Sequence, residues 1–376
     1  MMKIYLVGGA VRDQLLGLPI SDKDWVVVNS YEEEMLELGF KKVGKNFPVF
    51  LHPVTNEEYA LARKEKKTGL GYHGFDFKTT PKVSLFDDLM RRDLTISAIA
   101  MDATGILYDP FDGAKDIEKK ILKHTSRAFC EDPLRVIRVA RFAARFSFLG
   151  FTIADETLSL ANKMVKQNEL STLSGERIYH EICKAFSTKN PEIFFQVLYQ
   201  VDVFKYILLP LQNLFINQKK IFLPLVKAIK LNCSDIHTLF TLFMYQVKKQ
   251  DDIIEISTIL KLPKQLTRLI ISTHCYHNMI NNLIDYDSYQ ILKMLRKTNA
   301  LRSINHIRKV IKICYFIAKS KNVKKPTMGV TLKIIKILHN QSYKRIIKLC
   351  RSNHIGEQIK KKQLKLIENT LDGLKD

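Results

Sequence analysis

A chain of 376 residues with 46% hydrophobic and 10% aromatic content can build two or three domains with real cores, which excludes intrinsic disorder. Sixty Lys plus Arg against 38 Asp plus Glu leave a net charge of +22, which points to a polyanionic partner and away from a basic one, although codon bias toward Lys supplies part of the excess. Six scattered cysteines without a C-x-x-C pair fit reduced cytoplasmic thiols; no signal peptide is expected, since the N-terminus opens at once on a strand-like run, and without a charge-free apolar run of about 18 residues no membrane span is expected.

In chain order, residues 3–7 and 25–28 read as short buried strands, with a short helix over 12–16 between them. Residues 31–38 read as helix, and 47–52 and 57–63 as strands, so the first 110 residues alternate as a small α/β head. Residues 64–78 carry three glycines in six positions and read as a mobile loop. From about residue 115 strand signals fade. Helical periodicity follows at 133–148, 155–167, 175–187, 191–200, 219–230 and 235–248, then at 252–260, 264–280, 288–296, 300–319, 329–338, 341–350 and 355–373. No internal repeat is present. From Ser288 to Gly356 there are 17 Lys or Arg and no acidic residue, a stretch suited to phosphates.

Three motifs carry chemistry. In "GGAVRD", Gly8 and Gly9 let backbone N–H groups approach a phosphate chain, and Arg12 supplies a bidentate cation. In "SDKDW", Asp22 and Asp24 fall two apart at the start of a strand, so both carboxylates share a face and invite Mg²⁺. A Walker-like "GFKKVGKN" lacks the Ser or Thr that Mg²⁺ needs and is set aside. "RRD" places Arg91 and Arg92 before Asp93, which is readable as a solvated pair and a cap. "EDPLRVIRVARFAARF" begins with Asp132 as N-cap and Pro133 at the first helical position. Its Arg135, Arg138, Arg141 and Arg145 share an arc of about 120° and have no acid between Asp132 and Asp155, a face that calls for anions. The "HCYH" run at 274–277 is a weak metal candidate and reads better as helix surface and core.

"LVGGAVRD", "SDKDWVVV", "RRDLTISA", "EDPLRVIRVARF" and "LSGERIYHE", in this order and spacing across residues 1–200, resemble the class II tRNA nucleotidyltransferases. These are the bacterial CCA-adding enzymes of the DNA polymerase beta superfamily. The resemblance implies an α+β fold: a nucleotidyltransferase head with a mixed sheet over 1–114, a helical neck that recognises the base over 115–200, and a helical body and tail that bind tRNA over 201–376. It implies Mg²⁺ on Asp22 and Asp24 as catalytic carboxylates, with Glu58 as a candidate third. Gly9, Arg12, Arg92, Arg138 and Arg141 would contact CTP or ATP, and Asp132 with Arg135 would read the base. The 64–78 loop resembles the segment that switches the family from C to A addition.

The implied reaction is attack of the 3′-hydroxyl of the tRNA acceptor end on the α-phosphate of CTP or ATP, releasing pyrophosphate, in the cytoplasm, by a monomer or homodimer. Two departures stand out. Ser97 replaces the family's usual Asn, and no His-Asp dipeptide marks the accessory phosphohydrolase of the long enteric form, so that activity is expected to be absent. The rival readings are a poly(A) polymerase of the same superfamily, which would carry an arginine-rich segment where "VGKNFPVFLHP" stands, and a non-catalytic RNA-binding protein, which would lack the carboxylates.

Overall fold

The computed structural model describes residues 1–43, 49–67, 75–78, 80–215, 221–323, 326–349 and 354–373. The chain divides into two compact units, Met1–Leu209 and Pro210–Asp376.

The first unit is built on a mixed seven-stranded sheet. Its strands are β1 (Lys3–Val7), β2 (Asp24–Val28), β3 (Lys41–Val43), β4 (Val49–Leu51), β5 (Glu58–Leu61), β8 (Ala100–Met101) and β9 (Leu107–Tyr108), in the order β3-β4-β5-β2-β1-β8-β9. Central β2 runs antiparallel to β1 and parallel to β5. Its β-branched run Val26–Val28 is buried on both faces because helices cover both. Val26 and Val28 pack with Leu85 and Leu89 of α3 (Leu85–Met90), while Val27 packs with Met35 of α2 (Glu32–Glu37), Phe40 and Phe50. Between β1 and β2 lies α1 (Gly9–Leu15), three residues earlier in its start than periodicity predicts.

The glycine-rich stretch departs from expectation. Residues 64–78 read as a loop, yet β6 (Lys64–Lys67) and β7 (Phe75–Lys78) pair as an antiparallel ribbon; residues 68–74 lie outside the described residues. Glycine content spoke for a turn and concealed the flanking strands. The fading of strand signals after 115 also needs correcting. β10 (Ile121–Leu122) and β11 (Thr152–Ile153) form a small parallel pair, too short for a period of two to register.

Helices α4 (Gly113–Glu118), α5 (Leu134–Phe146), α6 (Asp155–Lys166), α7 (Gly175–Phe186), α8 (Pro191–Gln200) and α9 (Val203–Ile207) complete this unit, and α5 packs on α7 and α8. The division of the chain falls within the short α10 (Leu209–Gln212).

Among the described residues the second unit is helical: α11 (Leu223–Lys230), α12 (Ile236–Met244), α13 (Gln250–Ile259), α14 (Lys264–Asn281), α15 (Ser288–Lys297), α16 (Ile304–Ser320), α17 (Met328–His339), α18 (Lys344–Leu349) and α19 (Ile355–Asp372). Helix α16 packs on α11, α12 and α14, while α19 packs on α15, α17 and α18. No described helix is long and apolar enough to cross a membrane.

Candidate active site

The dozen residues between the glycines and the aspartates have a geometric meaning. Strand β1 ends at Val7, whose partner across the antiparallel ladder is Asp24, so the Gly8–Gly9 turn emerges beside the first residue of β2. Gly8 adopts φ +68°, and a Cβ there would lie 2.5 Å from Arg92 Nη1. Its N–H donates to Ile99 O at 3.1 Å, which corrects the expectation that both glycine N–H groups face a phosphate. Gly9 is the first helical residue, with an N–H that no residue of its own helix can accept. Gly8→Ala is expected to strain the backbone by about 1–2 kcal/mol and displace Arg92, raising KM for ATP roughly tenfold. An unchanged KM in steady-state assays would refute that dependence.

Asp22 lies in the turn before β2 rather than on the strand, accepting from Ser21 Oγ at 3.1 Å, and Asp24 begins the strand. Alternation places Asp24 on the side of Val26 and Val28, toward α3 and the arginines that follow it. Loss of solvation raises the Asp24 carboxyl above its ordinary range; Arg92 opposes this and Asp22 adds to it. Asp22, Asp24 and Glu58 line one cavity of about 550 Å³, and Glu58 is the register partner of Asp24 on parallel β5.

Asp24 also lines a second cavity, of about 490 Å³, with Gly8, Gly9, Arg12, Arg92, Asp132, Arg135, Arg138 and Arg141. Apart from Asp22, every residue singled out for nucleotide or base contact is therefore gathered at one place. Arg63, Asp93, Ser97, Phe142, Arg145 and Arg177 join them. Nine arginines and three aspartates line this cavity among the described residues, so its field selects polyanions.

The α5 arginines are not held apart by anions alone. Carboxylates from elsewhere in the chain do much of that work, which corrects the reading from helix α5 by itself. Arg138 Nε donates to Asp93 at 2.6 Å, Arg141 Nε to Glu181 at 2.5 Å and Arg145 Nη2 to Asp13 at 2.8 Å. Asp93 is therefore an ion-pair partner and no helix cap. Burial raises its carboxyl, but Arg138, Arg135 and Arg141 together outweigh that and hold it at about 2. Arg91 and Arg92 are likewise no solvated pair, since both bind the fully buried Asp88.

Flat stacking adds to the charge pairing. The Phe142 and Phe146 rings are parallel with centroids 6.1 Å apart. Arg141 lies 4.1 Å from the Phe142 centroid, Arg12 4.9 Å from that of Phe146, and Arg145 5.3 Å from the same ring. Arg12, only 3% exposed, is further fixed by Asp13 at 2.9 Å and Ser97 Oγ at 3.1 Å. Ser97, the departure from the family pattern, thus hydrogen-bonds the arginine next to the glycine turn.

The proposed base readers are also engaged. Asp132 accepts from the Leu134 N–H at 3.1 Å, as a cap does, and from Arg177 Nη2 at 2.7 Å. Arg135, 7% exposed, donates to the Ala128 and Arg91 carbonyls at 2.5 Å each. Arg177 stands in the quoted "LSGERIYHE" stretch, yet only its arrival beside Asp132, 45 residues away in sequence, reveals a role.

Elsewhere, His274 Nδ1 faces Tyr245 O at 3.0 Å and His277 Nδ1 faces Thr273 O at 3.0 Å, so the "HCYH" rings serve the helix. No three His, Cys, Asp or Glu side chains gather as an ion site among the described residues.

The model of the poly A polymerase head domain matches residues 4–123, and that of a probable RNA- and SrmB-binding site of polymerase A matches 150–215. A CCA-adding enzyme of Actinobacillus succinogenes is 43% identical over 345 residues, 85% of this chain and 86% of the relative. The chain belongs to the CCA-adding enzymes. A multifunctional CCA protein of Acinetobacter baylyi is 37% identical over 412 residues, spanning 99% of this chain and 97% of that protein. Among solved structures, an apo CCA-adding enzyme superposes with a TM-score of 0.69 at 22% identity, covering 98% of this chain and 86% of its own. A Thermotoga maritima CCA-adding enzyme complexed with tRNA gives 0.62 at 20% identity, covering 99% and 92%. These likenesses establish the α+β fold. The CCA-adding enzymes form a nucleotidyltransferase family that generally uses a divalent metal.

Proposed function

We propose that this chain adds C, C and A to the 3′ end of tRNA from CTP and ATP, releasing pyrophosphate, in the cytoplasm. The observation that carries the reading is Asp24, set in the wall between a carboxylate-lined cavity and an arginine-lined one. A triphosphate with its cation needs that juxtaposition, and a passive RNA-binding surface does not.

Asp22 and Asp24 would hold Mg²⁺. Two hard carboxylates without a closed cage suit an ion that takes its remaining ligands from phosphates and water. When bound, the ion supplies charge neutralisation and lowers the pKa of the attacking hydroxyl. Gly9, Arg12, Arg92, Arg138 and Arg141 orient the nucleotide and offset the charge that builds on its phosphates. Asp132 and Arg135 present acceptors and donors to the base edge, with Arg177 holding Asp132 in place. In this reading residues 1–114 are catalytic, 115–200 recognise the base and 201–376 bind tRNA.

The test is incubation of tRNA lacking its 3′ end with CTP and ATP, separately and together. Three additions ending in A support the reading, and a long A tail would assign the chain to poly(A) synthesis instead. Arg135→Ala is expected to reduce discrimination between C and A by about 10–100-fold, the worth of a good bidentate base contact. Its thermal unfolding also shifts downward because two carbonyls lose their donor. Preserved selectivity in a misincorporation assay would remove Arg135 from base reading.

A further inference from the structure

We propose that Arg145 is a further phosphate ligand of the arginine cavity, taking the terminal phosphates of CTP and ATP and holding the pyrophosphate that leaves. The proposal rests on the CCA-adding reading and adds a residue to its nucleotide site. Arg145 lines the cavity with Gly9, Arg12 and Asp24. Among the described residues its guanidinium has one hydrogen-bond partner, the Asp13 carboxylate, which Nη2 reaches at 2.8 Å. Its side chain is 38% exposed, against 33% for Arg138 and 10% for Arg141, and Arg135 is buried, so Arg145 is the most open arginine of α5. The bond to Asp13 and the Phe146 ring, 5.3 Å away, fix the direction of the guanidinium. Its Nε and Nη1 donors are left to face an anion, in the fork that suits phosphate oxygens.

The balance of charge along α5 is uneven. Arg138 and Arg141 have two carboxylates between them, Asp93 and Glu181. Arg145 and Arg12 share one, Asp13. Burial lowers the Arg12 guanidinium below its ordinary value; Asp13 opposes this and Arg145 adds to it. One positive charge at this end of the helix therefore exceeds what its carboxylate offsets, and an anion is stabilised most where that excess lies. Position along the helix fits the same assignment. Ten residues separate Arg135 from Arg145 on α5, about 15 Å along the axis, the reach of an extended nucleoside triphosphate from its base to its last phosphate. With the base at Arg135, the phosphate tail arrives at Arg145. As the tRNA 3′-oxygen bonds to the α-phosphorus and gives its proton to water, the bond to the bridging oxygen breaks and its electron pair leaves with pyrophosphate. Arg145 and Arg12 meet the charge that develops there.

The test measures equilibrium binding of inorganic pyrophosphate, CTP, ATP and CMP to the full chain, as wild type, Arg145→Gln and Arg145→Lys, with melting curves to verify folding. Arg145→Gln is expected to bind pyrophosphate and both triphosphates roughly tenfold more weakly, the lower end for a charge-assisted contact because the side chain is partly exposed. CMP, which lacks the terminal phosphates, is expected to bind within about twofold of wild type, since the loss is confined to the phosphate tail. Arg145→Lys keeps the charge without the fork and is expected to fall between the two. Unchanged pyrophosphate affinity, with or without a lower melting temperature, would overturn the proposal and leave Arg145 as a strut between α1 and α5. Equal weakening of CMP and pyrophosphate would also overturn it, because the effect would then not belong to the phosphate tail. Should Arg145→Gln not fold, the lysine variant decides by the same comparison. A wild-type chain that binds pyrophosphate through Arg145 yet extends no tRNA lacking its 3′ end would sink the CCA-adding reading and leave the phosphate contact standing.

Discussion

Asp24→Ala is expected to lower nucleotide incorporation at least a thousandfold while leaving tRNA affinity within about threefold of wild type. Metal-assisted charge stabilisation contributes several kcal/mol to such a transition state, and 1.36 kcal/mol is a decade in rate. Among the described residues Asp24 alone lines both the carboxylate and the arginine cavity, so its loss would open both the proposed cation site and the end of the proposed phosphate site. Asp22, in the turn outside the strand, is held less firmly, and Asp22→Ala should be the milder change. Incorporation of labelled CTP, alongside a binding assay, separates the two effects. Near-normal incorporation by the Asp24 variant would remove the metal assignment.

Asp93→Ala is expected to destabilise the first unit by about 3 kcal/mol, at the lower end of the cost of breaking a buried ion pair. The lower end applies because Arg138 is 33% exposed and keeps Glu181 at 3.9 Å as a weaker partner. The melting temperature of that unit should fall by roughly 6–12 °C. The same carboxylate gives a pH signature. Its folded value of about 2 lies below the ordinary 3.8, so its stabilisation is full above pH 3.8 and is lost as pH falls through 2. That loss is about 2 kcal/mol. Denaturant titrations from pH 5 downward should show wild type losing its advantage over Asp93→Asn across this window. Curves that stay parallel would deny the ion pair its role.

The fold and the site were legible to different degrees, for physical reasons. Strand β2 was plain as a continuous β-branched run, α5 from its Asp-Pro start and its length, and α7 and α8 because their burial recurs every three or four residues. The β6–β7 ribbon was hidden because glycine composition speaks for the turn and says nothing of the strands on either side. Helix α4, Gly113–Glu118, was missed because it is too short for a helical period to register and its capping acid stands off the usual position: Asp109 accepts from the Gly113 and Ala114 N–H groups at 2.8 Å. For the site, five motifs named the residues that line the arginine cavity. What they could not name was the compensation. Asp13, Asp93 and Glu181 lie 132, 45 and 40 residues from the α5 arginines they hold, and no local pattern marks a buried acid as a partner for a distant base. Arg63 and Arg177 were unmarked for the same reason.

The position of Asp24 in a wall common to two cavities has a thermodynamic consequence. In the proposed reading a cation in one cavity and a triphosphate in the other would act on the same carboxylate, so their binding free energies would be coupled: by the factor that the nucleotide tightens the cation, the cation would tighten the nucleotide. Neither affinity then belongs to its own cavity. In the proposed reading, a cation held weakly by Asp22 and Asp24 alone would be held more firmly once phosphates arrive.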